Sequence, residues 1–197
     1  MHIERAIPDR PWWVGAGGDL LRAACGSGYI SDDELRSIAA DNNSAIFLAH
    51  ETSGLLGISL VAVADAGVRA QLTRSLAALG IAEDLTGDET VGWLRAGVVA
   101  PAARGRGIGD RGVKAGLDFL GQKRCRTAYA VSWISGLGQQ SDGLLARNGF
   151  GALGVIPDYW SGVLDYQGDC AVCGKPCHCA AIVMRRNINV EISVPDD

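Results

Sequence analysis

The chain has 197 residues, of which 48% are hydrophobic and 20% charged; that length suits one buried core, and the composition excludes a disordered chain. A net charge of −4 argues against a protein that grips nucleic acid over its whole surface. No apolar run reaches the ~20 residues of a membrane-spanning helix, and Met1-His2-Ile3-Glu4-Arg5 lacks a basic-then-apolar leader pattern, so a cytoplasmic protein with no membrane partner is expected.

In chain order, residues 2–6 read as an edge strand and 18–25 as a short helix. Ser31-Asp32-Asp33-Glu34 is a capping box, and Leu35, Ile38 and Ala39 follow on one helical face. Two β-branched runs, 45–49 and 55–63, are joined by residues 50–54 in a predicted hairpin. Residues 65–80 place Val68, Leu72, Leu76 and Leu79 on one helical stripe, and a polar stretch with Glu83, Asp84, Gly87 and Asp88 follows. Residues 91–99 form a strand that Pro101 ends, because proline has no N–H for the ladder. From Gly109 the period becomes helical through Val113, Gly116, Leu117 and Leu120. A strand over 127–133, a helix over 141–148 and a last strand over 180–184 complete the order. The prediction is one domain, 1–197, with a mixed α/β sheet and helices on both faces; residues 65–90 read as an insertion between core strands, whose apolar stripe docks on the core or on a second copy of the chain.

Between Pro101 and Arg126 seven Lys and Arg face two Asp, a balance of +5 that leaves −9 for the remainder. A basic island in an acidic chain marks where a polyanionic small ligand docks, although charges alone fit a solvated helix face equally well. Arg104-Gly105-Arg106-Gly107-Ile108-Gly109 lies between a strand end and a helix start, where glycines admit phosphate and helix N–H groups point at it. A plain glycine-rich turn with solvated arginines is one reading. A dinucleotide fingerprint is another, since Gly107 to Gly112 fits G-x-G-x-x-G. That reading fails because residues 119–141 hold no Asp or Glu for the ribose.

The third reading is a family resemblance. Residues 96–109 resemble the strand, V-x-P turn and R-x-x-G-x-G loop of the GNAT N-acetyltransferases, and Leu144-Leu145-Ala146-Arg147-Asn148-Gly149-Phe150 resembles their later helix, which ends in Gly-Phe. The resemblance implies the GNAT fold, a mostly antiparallel sheet splayed at an acetyl-CoA site, with acetyl transferred directly to an amine. It further implies that Val98 and Val99 hold the pantetheine and acetyl through their backbones, with the Val99 N–H polarising the thioester. The N–H groups of Arg104, Gly105, Arg106, Gly107, Ile108, Gly109 and Asp110 would cradle the pyrophosphate. Many members protonate the leaving thiolate with a tyrosine four residues before the helix-ending glycine; here that position is Leu145. Tyr159 is the nearest replacement in sequence, set against a plain packing role. Glu51 is taken as the general base, with Glu89 and His50 as alternatives.

Cys170, Cys173, Cys177 and Cys179 follow C-x2-C-x3-C-x-C. A C-x-x-C-G turn presents two thiolates to one metal and a second pair completes a tetrahedron, which points to structural Zn2+ in a 168–180 loop. His178 could replace one ligand. Disulfides compete, but cytosolic thiols stay reduced. Cys25 and Cys125 read as isolated core or surface residues. The expected partners are acetyl-CoA and a cationic amine acceptor on a small molecule or a protein, with no nucleic acid; the rival is a non-catalytic acyl-CoA sensor that docks a partner through its zinc loop. The 65–89 segment is a natural place for acceptor specificity.

Overall fold

A computed structural model describes residues 1–83, 85, 87, 89–134, 141–164 and 168–188; Asp84 and Asp88 of the polar stretch lie outside them. Seven strands form one sheet in the order β1-β2-β3-β4-β5-β7-β6. They are β1 (His2–Arg5), β2 (Ser44–Glu51), β3 (Gly54–Val63), β4 (Val91–Val99), β5 (Thr127–Ile134), β6 (Gly151–Ile156) and β7 (Ala180–Asn187). Every pairing is antiparallel except β4 with β5.

The sheet carries helices on both faces, as strand alternation shows. Ile46, Leu48, Ile58 and Leu60 pack under α1 (Val14–Cys25) and α2 (Asp32–Ala40). Ala45, Phe47, Val61 and Leu94 point the other way, onto α4 (Ile108–Gln122) and α5 (Asp142–Arg147). The helix of the 65–90 segment, α3 (Ala66–Ala78), joins the α1 side: Leu72 and Leu76 are fully buried with Trp93 and Tyr129. Its stripe therefore docks on the core.

Local chemistry explains the boundaries. Ser31 caps α2 by accepting from the Glu34 N–H at 3.1 Å, while its own N–H donates to the Glu34 carboxylate at 2.9 Å, a reciprocal capping box. Asp65 caps α3 through the Val68 N–H at 2.8 Å. Helix α1 begins four residues earlier than its apolar period indicates, because Gly15-Ala16-Gly17-Gly18 carries little periodic signal; a Cβ on Gly17 would come within 2.8 Å of Ile58, so the glycine admits close packing on β3. Besides two 3-10 turns, Pro11–Trp13 and Pro101–Ala103, a strand and a short helix add to the sequence reading. Strand β6 lies at the sheet edge, and a short helix α6 (Tyr159–Gly162) follows it. Among the described residues no helix is long and apolar enough to cross a membrane.

Candidate active site and metal centre

Strands β4 and β5 pair only from Val91 to Leu94, against Thr127 to Ala130. Beyond that they part, although β4 runs on to Val99 and β5 to Ile134. The parting coincides with a bulge: Leu60 pairs with Ala96 and Val61 with Leu94, leaving Arg95 as an extra residue on β4. A cleft opens there, lined by Arg95 to Val99 on one wall and by Val131, Ser141, Leu144 and Leu145 on the other.

The ladder decides which backbone groups face this cleft. Ala100 donates its N–H to the Leu56 carbonyl at 2.8 Å, and a Cβ on Gly57 would lie 3.1 Å from the Val98 carbonyl oxygen. In an antiparallel pair successive residues point their polar groups to opposite sides. Val98 therefore spends its N–H and C=O on β3, while Gly97 and Val99 direct theirs toward the absent neighbour. Of the expected pair, Val99 turns its backbone groups to the cleft whereas Val98 spends its own on β3; Gly97 turns its backbone groups to the cleft as well.

At the mouth, Gly105 (φ 76°) and Gly107 (φ 73°) are left-handed, the backbone region that favours glycine. No atom lies within 4 Å of a Cβ built at either, so they keep the mouth open rather than filling a packed space. The first helical bond of α4 runs from the Arg111 N–H to the Gly107 carbonyl, leaving the N–H groups of Ile108, Gly109 and Asp110 without helical acceptors. Such a turn can hold a diphosphate. Farther along α4, a Cβ on Gly109 would approach Leu144 to 2.9 Å and one on Gly116 would approach Leu94 to 2.9 Å, while Gly112 sits against Ser59. The run that mimics a dinucleotide fingerprint thus lets α4 lie close on the sheet and on α5.

Side chains pin the mouth from outside. Arg106 pairs with Glu51 at the end of β2, and the N-terminal ammonium lies 3.6 Å from the same carboxylate. The Arg106 hydrogen bond, more than the partial desolvation opposing it, holds the Glu51 carboxyl below its ordinary value. A carboxylate so stabilised is a weak proton acceptor, and Glu51 is not among the cleft-lining residues. Asp110 accepts from Lys114 (2.7 Å) and from Asn148 Nδ2 (3.0 Å), linking α4 to the end of α5. Arg104 begins the turn, immediately after the short 3-10 helix Pro101–Ala103.

Of the other candidates, His50 faces Glu4 at 3.4 Å and meets the Trp12 ring edge-on, and the Glu89 carbonyl accepts from Arg69 at 2.6 Å. Neither lines the cleft. Tyr159 is fully buried, with its hydroxyl 3.1 Å from Ser75 Oγ and 3.3 Å from Gln71 Nε2, both on α3. Burial pushes its pKa up. Helix α3 belongs to the 65–90 segment, and its Gln71 and Ser75 hold the Tyr159 hydroxyl away from the cleft. Arg95 is the one charged residue among the described cleft-lining residues.

The four cysteines converge. Their sulfur atoms lie within 4.8 Å of one another, with Sγ···Sγ separations of 3.9 Å (Cys170–Cys179), 3.7 Å (Cys173–Cys177) and 3.6 Å (Cys173–Cys179). A tetrahedron with metal–sulfur bonds of about 2.3 Å has edges near 3.8 Å. Cys170 and Gly174 exchange backbone hydrogen bonds at 3.1 Å, closing the C-x-x-C-G turn, in which Gly174 is left-handed (φ 74°). The Val172 and His178 N–H groups donate to Cys170 Sγ and Cys173 Sγ, each at 3.4 Å, the outer contacts that steady thiolate ligands. His178 turns its ring to Asp158 (3.2 Å) instead of to the sulfurs. The loop packs against the α1–α2 connection, where Gly26 leaves room for the Asp169 carbonyl, and against Trp133 and Trp160. Burial raises the thiols of half-buried Cys25 and of core residue Cys125 to about 11.

A mixed sheet that parts beside a bulged strand, with a glycine-rich helix start at the mouth of the gap, matches the GNAT fold. The chain belongs to the acetyltransferase (GNAT) family, whose profile matches residues 27–150. Among solved structures, the aminoglycoside 6'-acetyltransferase type Ii superposes with a TM-score of 0.61 at 18% identity, covering 100% of both chains. The NatC complex bound to Gag peptide and CoA gives 0.66 at 11% identity, with 95% of this chain and 98% of that one covered. Chaetomium thermophilum Naa20 in complex with a bisubstrate analogue gives 0.64 at 14% identity, covering 98% and 89%. No curated protein matches the sequence.

Proposed function

We propose that the chain is an acetyl-CoA-dependent N-acetyltransferase with a structural zinc site. The observation that carries the reading is the parted strand pair, with the backbones of Gly97 and Val99 facing a cleft whose mouth is the Gly105–Gly107 turn. The pyrophosphate rests on the N–H groups of the turn and of the first turn of α4, with Arg104 and Arg106 beside it. Pantetheine then lies along β4 like an added strand. Val99, nearer the mouth, holds the arm. Gly97, two residues deeper, places its N–H on the thioester carbonyl, an oxyanion contact worth about 3 kcal/mol in comparable sites. The amine attacks the carbonyl carbon directly, the C–S bond breaks, and CoA leaves as its thiolate. With no carboxylate or imidazole among the described cleft-lining residues, the amine loses its proton through water.

The cysteine set fits zinc in donor type, number, spacing and N–H···S contacts. All four positions are protein thiolates, so the metal supports structure rather than chemistry. The acidic remainder of the chain favours a cationic acceptor, and the similar solved structures include an aminoglycoside 6'-acetyltransferase and a NatC complex bound to Gag peptide and CoA. The rival reading, an acyl-CoA sensor docking a partner through its zinc loop, draws support from Leu145 at the usual acid position and from the remoteness of Tyr159. A screen of acetyl-CoA with small-molecule amines, polyamines, aminoglycosides and peptide amines, read by released thiol, separates the two. Turnover with at least one acceptor is expected; tight acetyl-CoA binding without turnover on the whole panel selects the sensor.

A further inference from the structure

A pair of hydroxyls sits where the catalytic acid is missing. Ser132 is fully buried on β5, two residues past the last one that pairs with β4, and so lies beside the parted half of the sheet. The Ser141 O–H donates to Ser132 Oγ at 3.0 Å, so Ser132 holds the Ser141 hydroxyl in place. Ser141 precedes α5, and the Leu145 N–H donates to its carbonyl at 2.9 Å. Ser141 and Leu145 therefore stand one helical turn apart, where side chains share a face, and both line the cleft. Ser59 is the other hydroxyl of the lining; it sits beneath α4 against Gly112, on the β3 side of the gap.

We propose that Ser141 is the catalytic residue that receives the leaving sulfur, with Ser132 as its positioning residue. The inference rests on the acetyl-CoA reading above. Pantetheine running from the Gly105–Gly107 mouth past Val99 puts the thioester near Gly97, on the wall facing β5. From the start of α5 the Ser141 hydroxyl reaches that sulfur. When the C–S bond breaks, the electron pair stays on sulfur, and the Ser141 hydroxyl turns from Ser132 Oγ, its acceptor in this structure, to donate a hydrogen bond to the thiolate. Hydroxyl rotors turn to suit this direction. The proton released by the amine then neutralises the sulfur through the hydroxyl pair and water. A serine is too weak an acid to protonate a thiolate outright, but a hydrogen bond to a charged group stabilises it more than a neutral one does.

The test reads the sulfur directly and needs no acceptor. CoA bound to the protein is titrated with pH by the ultraviolet absorbance of its thiolate, in wild type, Ser141→Ala, Ser141→Thr and Ser132→Ala. The expected result is a thiol that titrates lower in the wild-type complex than in free CoA. Ser141→Ala raises that titration by about one unit, a tenfold loss of thiolate stabilisation. Ser141→Thr, which keeps the hydroxyl, stays near wild type, and Ser132→Ala falls between. With any acceptor found by screening, Ser141→Ala lowers kcat about tenfold at unchanged acetyl-CoA affinity. CoA that binds all four proteins and titrates identically would overturn the serine assignment alone; a wild type that binds no CoA would overturn the acetyl-CoA reading and this inference with it.

Discussion

The mouth of the cleft and the cysteine loop are both candidate ligand sites, built from opposite materials. The mouth is made of backbone: left-handed Gly105 and Gly107, unspent N–H groups at the start of α4, and cleft-facing peptide groups at Gly97 and Val99. The cysteine loop is made of side chains: four sulfurs brought together by a tight turn and supported by N–H donors. A backbone site tolerates many side chains and fails when the backbone cannot adopt its conformation. A side-chain site fails when a single ligand is lost. The catalytic sulfur-receiving group belongs to neither class, since one hydroxyl can take over from a different residue type one turn away.

The largest expected effect tests the side-chain half of this comparison. Protein purified without added metal should contain about one zinc per chain, and Cys170→Ser or Cys177→Ser should each lower that content and destabilise the fold by several kcal/mol, because metal binding energy is folding energy in such sites. Native metal-free protein with all four clustered thiols open to a thiol reagent would contradict this. Cys125, fully buried and with its thiol raised by that burial, should react only on unfolding.

A smaller effect is expected at Tyr159, which sharpens the contrast from the other direction. Tyr159→Phe removes the hydroxyl that meets Ser75 and Gln71 and should cost about 1 kcal/mol of stability, with kcat unchanged on any acceptor. A loss of kcat at unchanged stability would return Tyr159 to the reaction.

These contrasts bear on what a sequence displays. The strand at 91–99 and the reciprocal cap at Ser31 and Glu34 were legible because each is a local pattern with a local cause. So was the glycine loop, whose positive φ angles need glycine. The cysteine spacing carried the cluster because the donors lie within ten residues. Strand β6 was missed: Gly151-Ala152-Leu153-Gly154 offers no alternation, and the strand exists by pairing with β7, far along the chain. The side of the ladder on which Gly97, Val98 and Val99 spend their backbone groups was not legible, because it follows only once the partner strand and its register are known. Tyr159 was assigned by nearness in sequence, whereas its hydroxyl is settled by α3, more than eighty residues earlier. Ser141 carries no motif at all; its place beside Leu145 and Ser132 emerges only from the packing of α5 on the parted sheet.

The central claim is that the parted strands and their glycine mouth bind acetyl-CoA through backbone groups. Thermal unfolding with added ligand tests it most directly, because a ligand that binds only the folded state raises the Tm. Acetyl-CoA should raise the Tm of the wild type and NAD should not. Gly107→Val should lose the acetyl-CoA shift, since a branched side chain is strained at that φ and would occupy the open mouth. Equal stabilisation by both ligands, stabilisation by neither, or an undiminished shift in Gly107→Val would contradict the account.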